Sequence, residues 1–319
     1  MTQPTHPAPA TCYRHPDRAT YIRCVRCDRS ICPECMRPAS VGFQCPEEGS
    51  APRVRTMQDG SSFLAVARTA PVTSALIVAN LVVFVIFVIG GSGFASSTIG
   101  SLESHTVQFS PSIASGQWYR ILTAMFSHFG ILHVGSNMFV LYVIGIPLER
   151  QIGRVRYAAI YLVAGIGGGV ATYLFVNAHT VSGGASGAIF GLLGAYAVIA
   201  RRLGSAQLGP ILSTIVFNLV ITFAIPGISI TDHIGGLVVG AILGAVLALD
   251  ARGAVRSSAR ARRVLVEAVA FVVVLLVLVG VFAVRTHQLR ERPFYGASAA
   301  VSAPRSAAVP SAAVPPPAG

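Results

Sequence analysis

The chain has 319 residues, of which 53% are hydrophobic and only 11% charged, with a mean hydropathy of +0.66. Soluble globular domains carry about a quarter charged residues, so this composition excludes a soluble fold. The net charge of +12 comes from arginine without a single lysine, and the arginines cluster between long uncharged stretches. That is the pattern of a polytopic membrane protein, not of a nucleic-acid binder.

In chain order, the first element is a cysteine-rich head: all six cysteines fall within the first 45 residues. Residues 1–11 are polar and rich in Pro and Ala, with no apolar run or cleavage pattern, so the head is expected in the cytoplasm. Thiols stay reduced there, and clustered cysteines more often bind metal than form disulfides. The alternatives are a disulfide knot or a disordered cysteine-rich tail. Cys12, His15, Cys24, Cys27, Cys32, Cys35 and Cys45 follow the spacing C-x2-H-x8-C-x2-C-x4-C-x2-C-x9-C. A two-residue gap lets both ligands of a knuckle reach one tetrahedral zinc, and four ligands close a structural site. Interleaved pairing puts Cys12, His15, Cys32 and Cys35 on one ion and Cys24, Cys27 and Cys45 on a second, with one ligand still to find. A segment this short has too little core to fold without such a staple.

The head resembles the cross-braced B-box-type zinc finger. Related heads continue C-P-x-C, whereas this chain reads Cys45-Pro46-Glu47-Glu48, so the resemblance puts Glu48 at the eighth ligand position. One or two structural zinc ions are therefore expected. Arg14, Arg18, Arg23, Arg26 and Arg29 suggest contact with anionic lipid headgroups or an acidic protein partner.

Residues 51–70 read as a polar linker, and seven apolar spans follow at about 72–90, 128–148, 157–177, 185–200, 208–225, 232–249 and 264–284. Each is near the ~20 residues that cross a bilayer. The expected fold is thus an all-α polytopic membrane protein with seven transmembrane helices and a small N-terminal zinc-binding domain. The expected divisions are 1–50 for the head, 51–70 for the linker, 71–250 for a six-helix core, 251–288 for a seventh helix and 289–319 for a disordered Pro/Ala-rich tail. Nine arginines precede span one, three lie at 150–156, two at 201–202 and five at 252–263. The positive-inside rule then places the N-terminus in the cytoplasm and the C-terminus outside a cell membrane. Span seven, the most apolar run, shows no inward polar group and reads as a scaffold helix.

Polar groups inside a membrane are costly and mark functional sites by default. Here they are His128, His133, Asn137, Ser186 and His233. Gly236, Gly240 and Gly244 share the helix face of His233, and Gly187, Gly191 and Gly194 smooth span four beside Ser186. Small residues at this period let two helices approach closely. The serine and histidine can then reach hydrogen-bond distance, as a base-activated nucleophile requires.

The ordered set Trp118-Tyr119-Arg120, His128, His133-x3-Asn137, Glu149-x3-Gly153, Gly184-Ala185-Ser186-Gly187 and His233 before a Gly-rich helix resembles the rhomboid family of intramembrane serine proteases. The resemblance covers about residues 71–250, with span seven giving the six-plus-one form. It implies that Ser186 attacks a scissile carbonyl and His233 serves as base and then acid, with no cofactor for catalysis. It also implies that Phe190 stacks on His233, that Gly184 and Gly187 support the site, and that single-span membrane proteins are the substrates. Asn137 and His133, one turn apart, suit an oxyanion hole together with the Ser186 N–H; His128 would shape the cavity and hold water. Asp232 is the only acid beside the histidine, but on a helix it points about 100° away. A Ser-His dyad is therefore expected, not a triad. Trp118 and Arg120 read as structural parts of the first loop. Span five, short and ending in Pro226-Gly227, reads as a lateral gate.

Three other classes compete. A catalytically inactive relative acting as membrane chaperone or adaptor should lack Ser186 or His233. A transporter should show paired repeats or broken helices, and a zinc metalloprotease should pair His with a carboxylate at helical spacing. None of these signatures is seen in the spans.

Overall fold

A computed structural model of the chain describes residues 10–39, 42–48, 67–175, 180–249 and 257–291. Most of the expected linker and the expected tail from 292 onward lie outside the described residues. The chain divides into two units, 1–62 and 63–319.

The head consists of two short hairpins, β1 (Ala10–Thr11) with β2 (Ala19–Thr20) and β3 (Arg37–Pro38) with β4 (Phe43–Gln44), around a 3-10 turn at Pro33–Cys35. Among the described residues its buried core is Ile31 and five cysteines. So small a core needs a further staple.

The second unit is helical. In order it has α1 (Pro71–Ile89), α2 (Ser101–Ser104), β5 (Gln108–Phe109), α3 (Ser110–Ala114), α4 (Arg120–Thr123), α5 (Ile131–Ile152), α6 (Arg154–Phe175), β6 (Val181–Ser182), α7 (Ser186–Leu203), α8 (Leu208–Ala224), α9 (Ile230–Leu249) and α10 (Ser257–Arg290). Six of these are long and apolar enough to cross a membrane, and α8 is a shorter apolar helix. The chain is thus a multi-pass membrane protein, with seven apolar helices among the described residues.

Span two starts later than expected. Gly130 has a φ of +93° and ends the preceding turn, so His128 lies before α5 instead of within it. Helix α5 then runs on to Ile152, because its last turn has a buried task. The Glu149 carboxylate accepts from the Val72 N–H (3.0 Å), the Thr73 N–H (2.7 Å) and the Thr73 hydroxyl (2.7 Å). It thereby satisfies N–H groups that the first turn of α1 leaves without intrahelical partners.

Helix α7 is buried between α6 and α9. Its closest neighbour is α9, where a Cβ on Gly236 or Gly240 would run into the carbonyl oxygens of Gly187 or Gly191. At Gly244 it would lie 2.5 Å from the Ala195 Cα. The glycine face read from the sequence is thus a backbone-to-backbone contact.

Span seven differs from the expectation of a helix without inward polar groups. Glu267 is buried and paired with Arg156 at 2.7 Å and Arg263 at 2.9 Å. It lies one turn inside a run that hydropathy alone marks as continuous. Arginines from its own helix and from α6 make its burial tolerable.

Candidate active site

Ser186 opens α7 after β6 and Gly183-Gly184-Ala185. Strand β6 pairs antiparallel with β5 in the register Gln108↔Ser182 and Phe109↔Val181. The Gly184 N–H donates to the Ala124 carbonyl at 2.8 Å, and the Ala185 N–H to His128 Nε2 at 3.3 Å. His128 Nδ1 lies 3.2 Å from the Phe126 carbonyl and must donate there, leaving Nε2 as acceptor. His128 is thus a bracket for the serine loop.

His133 has the opposite tautomer. Its Nδ1 accepts from the Phe129 N–H at 3.3 Å, so Nε2 carries the proton. That Nε2 and Asn137 Nδ2 would lie 2.8 and 3.6 Å from a Cβ placed on Gly184. Asn137 Nδ2 is buried and has no hydrogen-bond partner among the described residues. Two donors therefore converge at Gly184, two residues before Ser186. Gly184 leaves room for them, and its φ of +126° favours glycine.

His233 is buried against the Phe190 ring, with centroids 4.3 Å apart and planes 18° apart. Its Nδ1 lies 2.7 Å from the Thr222 hydroxyl, which donates its own proton to the Asn218 carbonyl at 2.7 Å. The hydroxyl has one proton, so it accepts from His233 Nδ1–H and leaves Nε2 as the free base. Thr222 is therefore the group that orients the histidine. The sequence reading missed it, although a threonine inside an apolar span is itself a signal.

Asp232 does not face His233, in keeping with its helical offset. Its carboxylate instead accepts from Ser186 Oγ at 3.4 Å and faces the Gly187 N–H. It fits because Gly168 and Gly187 leave the space: a Cβ on either would lie 2.5 Å from Asp232 Oδ1. Asp232 thus caps α7, whose own N-cap, Ala185, has no side chain that can do so.

Arg120 is buried and donates to the carbonyls of Ser104 (2.7 Å) and Val107 (2.9 Å), so it holds the first loop together. Trp118 is 62% exposed.

In the head, two groups of ligand atoms each lie within 4.8 Å of one another: Cys12, His15, Cys32 and Cys35, and Cys24, Cys27 and Cys45. His15 Nδ1 is 3.9, 3.3 and 3.4 Å from the sulfurs of Cys12, Cys32 and Cys35. A tetrahedral zinc with bonds of about 2.3 Å to sulfur and 2.0 Å to nitrogen separates its ligands by roughly 3.5 Å, so the first set fits such an ion. Burial alone would raise the Cys12 and Cys24 thiols, but backbone N–H groups aimed at each sulfur outweigh it and bring both down to about 6. Glu48 lies outside the second set and pairs with Arg26 at 3.1 Å. The nearer carboxylate is Glu47, 4.0 Å from the Cys45 sulfur and 2.8 Å from Arg29. Arg18 and Arg23 also pair within the head, with Glu34 and Asp28. Four of the five arginines expected to meet an external partner are thus engaged internally.

The Rhomboid domain family matches residues 115–249. The chain is 41% identical over 146 residues to the rhomboid protease GluP of Bacillus subtilis, covering 44% of this chain and 28% of that protein. It is 36% identical over 166 residues to RHOMBOID-like protein 6, mitochondrial, of Arabidopsis thaliana, covering 50% and 52%. It is 33% identical over 135 residues to YdcA of Bacillus subtilis, covering 41% of this chain and 68% of that relative. The match thus spans 28% of GluP and about half of the Arabidopsis protein. The matched region contains the serine loop, the donor pair, the histidine and the Gly-rich α9, and the chain belongs to the rhomboid family.

Proposed function

We propose that this protein is an intramembrane serine endopeptidase that cuts transmembrane segments of single-span membrane proteins with a Ser186–His233 dyad. The observation that carries the reading is the convergence of two donors, His133 Nε2–H and Asn137 Nδ2–H, on Gly184 of the loop that leads into Ser186. A buried donor with no partner is costly. A developing oxyanion would relieve that cost at the moment of reaction.

In the proposed reaction the Ser186 hydroxyl leaves Asp232 and attacks the scissile carbonyl, while His233 Nε2 takes its proton. The C–N bond breaks as the same proton passes to the leaving amine. Water, deprotonated by His233, then releases the acyl group and regenerates the serine. The bond to be cut must leave its helix first, so small or helix-breaking residues should surround it. Ser186 and His233 both open their helices, and the arginine pattern puts that end outside. The cut should therefore lie near the extracytoplasmic face, with the N-terminus in the cytoplasm.

The test is cleavage of a single-span substrate by the purified protein, with the cut site mapped and Ser186 labelled by a fluorophosphonate. A cut on the cytoplasmic side would contradict the orientation. A second reading, an inactive chaperone or adaptor, is favoured by one contact: Ser186 Oγ donates to Asp232, and no hydrogen bond to His233 is found among the described residues. Absence of both cleavage and labelling in the wild type would select it.

Asn137→Ala should slow turnover by ~10²–10³ while Ser186 still labels, since one oxyanion donor typically contributes that much. Unfolding of this variant with a normal residual rate would make Asn137 a packing residue. Thr222→Val should lower kcat by about tenfold or more by freeing the imidazole to rotate or change tautomer. An unchanged kcat in this variant would remove Thr222 from the dyad's support.

For the head we propose structural zinc: one closed site at Cys12, His15, Cys32 and Cys35, and a second with the thiolates Cys24, Cys27 and Cys45. Metal analysis of the full chain should find one tight and one labile ion, because Glu48 is engaged by Arg26. Glu48→Cys should tighten the second. Acidification should release both as their thiolates protonate. Two equally tight ions in the wild type would contradict this ranking.

A further inference from the structure

Helix α10 packs on the bundle along one face through Phe271, Val274 and Leu278, and polar contacts fasten it near its two ends. At one end Glu267 is clasped by Arg156 of α6. The opposite face of its middle presents exposed Val272, Val273, Leu276 and Val277. At the other end, about 35 Å along the helix, Leu289 is 2% exposed and packs with Ile113, Ala114, Ile121 and Tyr173. Arg290 Nε donates to the Ala114 carbonyl at 2.7 Å, and the Thr286 hydroxyl lies 3.2 Å from that of Tyr173.

The contact at Ala114 leads to the serine. Ala114 ends α3, and α3 follows β5 without a break. Strand β5 is tied to α6 by Gln108 Nε2 donating to the Gly169 carbonyl at 2.8 Å. Its other edge pairs with β6, and Ser182 of β6 runs through Gly183, Gly184 and Ala185 into Ser186. That loop has little sequence-local support, because three of its residues are Gly or Ala and α7 lacks its own side-chain cap. Strand β5 is therefore one of its supports, beside the Ala124 carbonyl, His128 and Asp232.

We propose that Leu289 and Arg290 are positioning residues for the serine loop, acting through α3, β5 and β6, so that the seventh helix sets the geometry of the nucleophile. Arg290 supplies the directional contact, a charged donor on a carbonyl at the loop's edge. Leu289 supplies the packing that keeps it there. The inference rests on Ser186 being the nucleophile, as proposed above.

The test uses the full chain in detergent and the second-order rate of fluorophosphonate labelling at Ser186, since a probe this small does not depend on how a substrate helix docks. Arg290→Ala should slow labelling about tenfold, because a displaced nucleophile loses rate steeply. Arg290→Lys, which keeps a cationic donor, should recover most of it. Amide exchange at 181–186 should quicken in Arg290→Ala but not in Arg290→Lys. Glu267→Gln loosens the opposite end of the same helix and should lower the melting temperature without changing the labelling rate or that exchange. Leu289→Ala trims the same contact and serves where Arg290→Ala does not fold. Wild-type labelling in the folded Arg290→Ala or Leu289→Ala variant would overturn the proposal. So would an equal slowing in Glu267→Gln, since loss of stability alone would then explain the effect. If the wild type does not label, or His233→Ala labels equally well, the dyad reading fails instead, and the exchange at 181–186 still decides the relay.

Discussion

Ser186→Ala and His233→Ala should each abolish cleavage while leaving expression and melting nearly unchanged. The expected loss is on the order of 10⁶ in kcat, because a nucleophile and its base act as one unit and removing either costs about as much as removing both. The structure gives a reason for the unchanged fold in the serine variant. Ser186 Oγ makes one long hydrogen bond, 3.4 Å to Asp232, and that carboxylate keeps its contact with the Gly187 N–H. In the histidine variant the Thr222 hydroxyl loses an acceptor role but keeps its bond to the Asn218 carbonyl. The two variants should differ toward a fluorophosphonate: Ser186→Ala removes the labelled atom, and His233→Ala removes the base. Cleavage that persists in purified Ser186→Ala would sink the dyad.

Gly240→Leu should be the most damaging substitution in the helical unit. The new Cβ would run into the Gly191 carbonyl oxygen, which belongs to helix backbone and cannot rotate away. Helices α7 and α9 would have to separate, and overpacking of this kind costs ~3 kcal/mol or more where the backbone must shift. Separation would also part Ser186 from His233, since each opens one of the two helices. A large drop in melting temperature and loss of Ser186 labelling should therefore appear together. Gly280→Ala is the matched control: a Cβ there meets nothing within 4 Å, and the change should leave melting and labelling close to wild type. A Gly240→Leu variant that melts and labels like wild type would mean that the two helices do not touch as described.

The amino-acid sequence by itself determined the membrane class, the existence of seven apolar helices, the two groupings of ligand residues in the head and the glycine face of α9. Each of these follows from composition, period or spacing, which are local properties of a chain. Helix limits were less legible, because hydropathy marks the part of a helix that lipid favours and not where its backbone stops. Thus α10 extends from Ser257 to Arg290 although the apolar run covers only about 264–284, and Gly130 ends the turn before α5 through its backbone angle. Only the tertiary structure decided the partners of single polar groups: Thr222 on His233, Asp232 on Ser186, Glu267 between two arginines, Glu48 on Arg26, and Arg290 on Ala114. Most of these pairings join residues distant in the chain, and even the nearer ones depend on how the backbone between them turns. A polar residue shows in the sequence that it needs a partner, while the packing of helices around it selects which one it meets.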